Sequence, residues 1–166
     1  MAPAAGPAVA RSPGGVFETD AQGRLLVDER MRLAVEALVG GHPAEALPAL
    51  VAAEVQGMPA QAAADAREIA QRLDAYQNAQ RAVFPPGEAP LVPQEGLAEL
   101  DTLVALRSSY FGAESARRMF GADEAVTRRL LQLMAEESAS SLSMEEKALR
   151  AQARYDQERA STPPGR

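Results

Sequence analysis

The sequence has no cysteine, no tryptophan, a single histidine (His42) and a single lysine (Lys147). Without cysteine there is no disulfide framework, no thiol catalysis and no thiolate-ligated zinc or iron–sulfur centre. One histidine cannot build a histidine-rich metal site or a two-histidine facial triad. It also cannot supply the Glu-x-x-His pairs of a helical di-metal site. Aromatic residues make up 4% of the chain, too few for the packed faces of a sandwich or barrel. No run of about 18 apolar residues could span a membrane. The opening MAPAAGPAVARSPGG lacks the charged start and apolar run of a signal peptide. A formal net charge of −6 argues against a nucleic-acid binder, which normally carries a basic stripe.

What remains is a chain of 166 residues in which Leu, Ile, Val and Phe together number 33. That fraction is close to the roughly 20% below which charged chains tend towards disorder, so the core is expected to be thin. Residues 1–16 read as an Ala/Pro/Gly tail. Over 17–27, apolar residues flank an Asp20-x-x-Gly23 pair suited to the first and last positions of a turn, so a short β-like turn is expected there. From residue 28 the spacing becomes helical. Asp28 is a candidate N-cap, Met31, Val35, Leu38 and Val39 share one face, and Gly40-Gly41 gives a stop. Pro43 or Pro48 opens a second helix, carrying Leu47, Leu50, Val51 and Val55. Pro59 opens a third, to about residue 84, with Ala62, Ala66, Ile69, Leu73, Tyr76 and Val83 as its apolar stripe.

Four prolines between 85 and 93 interrupt the pattern. Helices are then expected over 95–110, 113–120 and 123–138, separated by Gly112 and Gly121, with Asp123 capping the third. A loop over 138–143 follows. A Ser143–Glu146 capping box then starts a last helix over 144–160. The expected fold is all-α, an extended arrangement of about six or seven helices in two lobes. Its parts are a tail (1–16), an N-terminal helical mini-domain (17–84), a Pro-rich linker (85–94), a helical extension (95–160) and a second tail (161–166).

No residue set points to catalysis. His42 lies between Gly41 and Pro43 with no Gly-x-Ser-x-Gly nucleophile to serve, and reads as a solvent-facing turn histidine. The adjacent pairs Glu136-Glu137 and Glu145-Glu146 point to different helix faces and read as solvated charge. Arg117-Arg118 and Arg128-Arg129 are paired with Glu114 and Glu124 four residues before Arg118 and Arg128, the spacing of helix-stabilising ion pairs. No catalytic residue, metal ligand or cofactor is expected.

The most specific wording lies in the second half: Leu106-Arg107-x-x-Tyr110-Phe111-Gly112-Ala-Glu114-x-Ala116-x-x-Met119-Phe120-Gly121-x-x-Glu124, then Leu142-Ser143-x-Glu-Glu146-Lys147-Ala148. This resembles the lipase-specific foldases, the steric chaperones of secreted bacterial lipases. Asp20-x-x-Gly23-x-Leu25 and Leu73-Asp-Ala-Tyr76 are similar to the front half of that family. The resemblance implies a structural role for Arg107, Tyr110, Phe111, Gly112, Phe120 and Gly121. It places the family's functional motif in the first helix, at Arg32, Val35 and Glu36, with Val35 at the aromatic position, Glu36 at the aspartate and Ala37 at the tyrosine.

The implied function is a non-catalytic, protein-binding chaperone that wraps a client lipase with helices without ATP. The alternative is a helical adaptor or scaffold that binds an unrelated partner or itself. The resemblance also implies a periplasmic or inner-membrane-associated setting. Contact with a membrane would come only through an anchor absent from this chain, and a cytoplasmic setting stays open because no signal is present. Family members continue into a second mini-domain where this sequence ends, so a partial member or fragment is expected. Nucleic acid and small-molecule cofactors are not expected as partners.

Overall fold

The computed structural model describes residues 15–87, 89–137 and 141–161. The expected tails therefore lie almost wholly outside the described residues, as does part of the 138–143 loop. Among the described residues the fold is all-α, with six α-helices and one short 3₁₀ turn. These are α1 (Glu29–Gly40), the turn at Ala44–Ala46, α2 (Leu47–Glu54), α3 (Ala60–Val83), α4 (Pro93–Phe111), α5 (Ala113–Glu136) and α6 (Met144–Ser161). None of these helices is long and apolar enough to cross a membrane.

The chain divides into two compact units, Met1–Ala70 and Gln71–Arg166, with the division inside α3. The two lobes read from the sequence met instead at the proline run. The prolines do break the helix, but the side chains of α3 beyond residue 70 pack within the second unit.

In the first unit, the expected β-like turn is a single bridge between Thr19 and Leu25. The Asp20 carboxylate accepts backbone N–H bonds from Gln22 at 2.9 Å and Arg24 at 3.0 Å, and Gly23 takes a φ of 76° that closes the turn without a Cβ clash. The backbone bond from Arg24, aided by its guanidinium, holds the Asp20 carboxyl below the usual carboxylate range. Asp28 caps α1 by accepting from the Met31 amide at 2.9 Å. Pro48 sits in the first turn of α2, where its missing N–H costs nothing. The core of this unit is Phe17, Met31, Val35, Leu47, Val51 and Val55, with Ala62, Ala66, Ile69 and Ala70 of α3 also buried.

In the second unit, α4, α5 and α6 run back and forth. Contacts between α4 and α5 step down one helix as they step up the other: Phe111 meets Phe120, Arg107 meets Glu124, Asp101 meets Arg128 and Gly96 faces Leu131. Pro93 opens α4 two residues earlier than expected, because proline is suited to a first helical position after the extended Val92.

Two expectations for α5 fail. Gly121 does not separate helices, since α5 is continuous from Ala113 to Glu136, and Asp123 lies inside it instead of capping a new one. A single helical glycine costs roughly 1 kcal/mol, which the packing of Met119, Phe120, Leu133 and Met134 outweighs. Gly112 does break the chain, with φ 76° and ψ 151°, a region open essentially to glycine alone. Its N–H donates to the Ser108 carbonyl and its own carbonyl accepts from Ala116, so one residue ends α4 and begins α5. The expected capping box forms: Ser143 N–H donates to Glu146 Oε2 at 2.8 Å, and Glu146 N–H to Ser143 Oγ at 3.2 Å.

Candidate functional site

The first-helix motif lies in the first unit. Arg32 follows Met31 on the inward side of α1 and is itself buried, with 8% of its side chain exposed. Its Nη1 donates to both carboxylate oxygens of Glu36, at 3.2 and 3.0 Å, and the Glu36 side chain is 32% exposed. The pair is therefore sunk at the guanidinium end and open at the carboxylate end. Removing Glu36 would leave a buried charge short of this partner, a larger penalty than the loss of a surface pair. Val35 is 2% exposed and belongs to the core. The three motif positions thus have different surroundings: Val35 packs, Arg32 anchors, and Glu36 shows its carboxylate to solvent. Leu33, next to Arg32, is 49% exposed.

The strong sequence block lies in the second unit and builds an aromatic cluster. Tyr76 of α3 lies edge-on to Phe111 at 5.5 Å and to Tyr110 at 6.0 Å, and Phe120 of α5 is 5.6 Å from Tyr76 and 5.7 Å from Phe111. These are the offset and edge-to-face geometries that ring quadrupoles favour. Arg107 closes the cluster. Its Nε donates to Tyr76 Oη at 2.9 Å, its Nη1 to Glu124 Oε1 at 2.6 Å, and its guanidinium carbon stands 4.3 Å from the Phe120 ring centre. Only arginine can supply this planar fork and stacking face together.

The sequence reading named Arg107, Tyr110, Phe111 and Phe120 but gave Glu124 to Arg128. In the structure Glu124 turns across to Arg107, and Arg128 pairs with Asp101 of α4 at 2.6 Å. Helical spacing reports neighbours on one helix; it carries no signal for a partner on the next. The Glu114–Arg118 pair does form, at 3.6 Å, and Glu114 also takes Arg117 at 2.9 Å. The Arg117 bond and charge hold the Glu114 carboxyl below its ordinary value.

His42 is exposed and its Nδ1 lies 2.8 Å from the Leu38 carbonyl at the end of α1. No group of three His, Asp or Glu side chains able to hold a metal occurs among the described residues.

A further feature had no sequence signature. Gln80 and Phe84 at the end of α3, Pro90, and Leu100, Leu103 and Leu131 of α4 and α5 line an open groove of about 310 Å³. Gly96 sits on its floor, where α4 approaches α5 so closely that an added Cβ would stand 2.8 Å from Leu131 Cδ2.

Within the second unit α6 packs on α5. A small core of Leu133, Met134 and Ala151 is flanked by Leu130, Leu131, Met144 and Tyr155. Around it Arg129 pairs with Glu158 at 2.5 Å and Glu136 at 3.2 Å, and Glu136 also takes Arg154 at 2.7 Å.

Compared with known proteins, residues 88–165 match the family model of the proteobacterial lipase chaperone protein. That span begins in the proline run and contains α4, α5 and α6, including the Arg107–Glu124 pair and the capping box. No curated protein matches the chain.

Proposed function

We propose that this chain, which over residues 88–165 matches the family model of the proteobacterial lipase chaperone protein, is a non-catalytic foldase-like protein that binds a secreted lipase through the outer faces of its helices. The family match carries the reading, and its general content is a lipase-associated chaperone role. The architecture supports the finer step. A meander of three helices joined by a one-residue turn and ion pairs leaves Val126 37% and Leu149 67% exposed. Such side chains can be covered by a partner; no ATP site or catalytic set is needed for that work. In the first unit the Arg32–Glu36 pair supports the same reading. The buried guanidinium fixes the carboxylate of Glu36, which is the member able to meet a client. The family's setting is periplasmic or membrane-associated, and we assign this chain there.

The test is co-refolding. A denatured lipase encoded in the same genome should regain activity faster or further with the protein than without it. Glu36→Gln should weaken that effect while the helical circular dichroism is kept. If the unaltered protein neither binds nor reactivates the lipase, the foldase reading fails and the helical-adaptor reading replaces it.

A further inference from the structure

We infer that the groove between the end of α3, the proline run and the α4–α5 pair holds a basic amphipathic segment of the client, with its apolar side chains inserted and a lysine or arginine at the rim. This rests on the reading of the chain as a protein-binding chaperone and names the surface and the chemistry of what it grips.

The groove's walls are Phe84, Pro90, Leu100, Leu103 and Leu131, and its volume of about 310 Å³ is at the lower end of what ligand-binding clefts offer. The apolar surface does not stop at the rim. Leu91 and Val92, which follow the groove residue Pro90, are 80% and 44% exposed, and Val83, which precedes Phe84, is 47% exposed. Several large exposed apolar residues on one short stretch of chain mark an interaction surface. An open groove flanked by further exposed apolar side chains suits a helix laid into it, with anchors three and four residues apart.

Charge decides which segment. Among the described residues the lining holds one carboxylate, Glu99, and no cation. Among the described residues no cation pairs with Glu99. One turn earlier on the same face of α4 stands Glu95, whose Oε2 accepts the Leu91 amide at 2.8 Å. The α4 carboxylate that does have a cation, Asp101, takes Arg128. An acidic rim on a chain of net charge −6 repels an acidic segment and attracts a basic one.

The experiment uses the full chain and two fluorescein-labelled synthetic 16-residue helical peptides. Both carry leucine at three- and four-residue spacing; one has flanking lysines and the other has glutamates in their place. Fluorescence anisotropy should show the lysine peptide binding about ten-fold or more tightly than the glutamate peptide. Glu99→Lys should reverse that order. Thr127→Trp, at an exposed rim position, should fill the groove and abolish binding with an unchanged circular dichroism spectrum. Equal binding of the two peptides, no binding of either, or binding untouched by Thr127→Trp would overturn the inference. So would a dimer in sedimentation that Thr127→Trp disrupts, because the occupant would then be a second copy. Lipase reactivation that persists in the Thr127→Trp protein overturns the groove while leaving the chaperone reading standing. Peptide binding without reactivation does the reverse.

Discussion

Replacing Phe120 by alanine tests the aromatic cluster directly. The ring is 3% exposed and touches Tyr76, Phe111 and the guanidinium of Arg107. Truncating a buried phenylalanine costs about 3–5 kcal/mol from lost transfer energy and the cavity left behind. Part of that is specific to the ring: each aromatic pair adds about 0.5–1.5 kcal/mol beyond area, and the stacked guanidinium a further ~0.5–1 kcal/mol. Phe120→Leu separates the two contributions, because it keeps most of the volume and forfeits the ring faces, and should cost about 1–2 kcal/mol. In a unit of this size each kcal/mol moves the melting temperature by about 4–8 °C. Scanning calorimetry of the full chain should therefore show the transition of the second unit falling by at least ~12 °C for Phe120→Ala and by roughly 4–16 °C for Phe120→Leu. Val126→Ala, on the exposed side of α5, should change it by under about 0.5 kcal/mol. A Phe120→Ala melt within about 2 °C of the unaltered protein, beyond any effect expected of a core truncation, would refute the packing described for this cluster.

Two glycines should respond in opposite directions. Gly112→Ala forces a side chain into a glycine-only conformation and should destabilise by ~1–3 kcal/mol. Gly121→Ala should stabilise by up to about 1 kcal/mol, because its Cβ meets only the flexible Arg117 side chain at 3.4 Å. Urea titrations compare the two. Docking of α6 should weaken with acid and with salt. Bonds from Arg154 and from Arg129 hold the Glu136 and Glu158 carboxyls below their ordinary 4.5, so their contribution is present above that value and is lost as pH falls through the lowered ones. Spin-label distances between exposed positions of α5 and α6 should lengthen on moving from pH 7 to below 4.5, and an unchanged distance would show that the apolar contacts alone hold α6.

Much of the helical plan was legible because it is written in local chemistry. Asp28, Pro48, Gly112 and the Ser143–Glu146 box act within four residues of themselves, and each is found at a helix terminus in the structure. The buried stripe of α3 followed from spacing alone as far as Tyr76. Errors arose where a residue's role is set by something distant in sequence. Gly121 was read as a break although the packing of α5 on both sides carries the helix through it. Glu124 was given to its neighbour one turn on, although the guanidinium of Arg107 on another helix holds it more deeply. The groove was invisible, since Phe84, Pro90, Leu103 and Leu131 share no period. Of the first-helix motif, the residue types were readable but their depth was not: Val35 is core, and Arg32 is buried although arginine is seldom found inside a protein.

The single-residue junction at Gly112 also bears on how quickly this part of the chain finds its structure. Phe111 and Phe120 meet across fewer than ten residues, and the pairs Arg107 with Glu124 and Asp101 with Arg128 lie progressively farther from the turn. Each step encloses only a little more chain than the one before, so the entropy of loop closure is spent in small increments. Such a hairpin has low contact order and folds on the fast side of the range for small domains. The family-matched segment thus contains a hairpin whose cross-helix contacts are nested around one glycine.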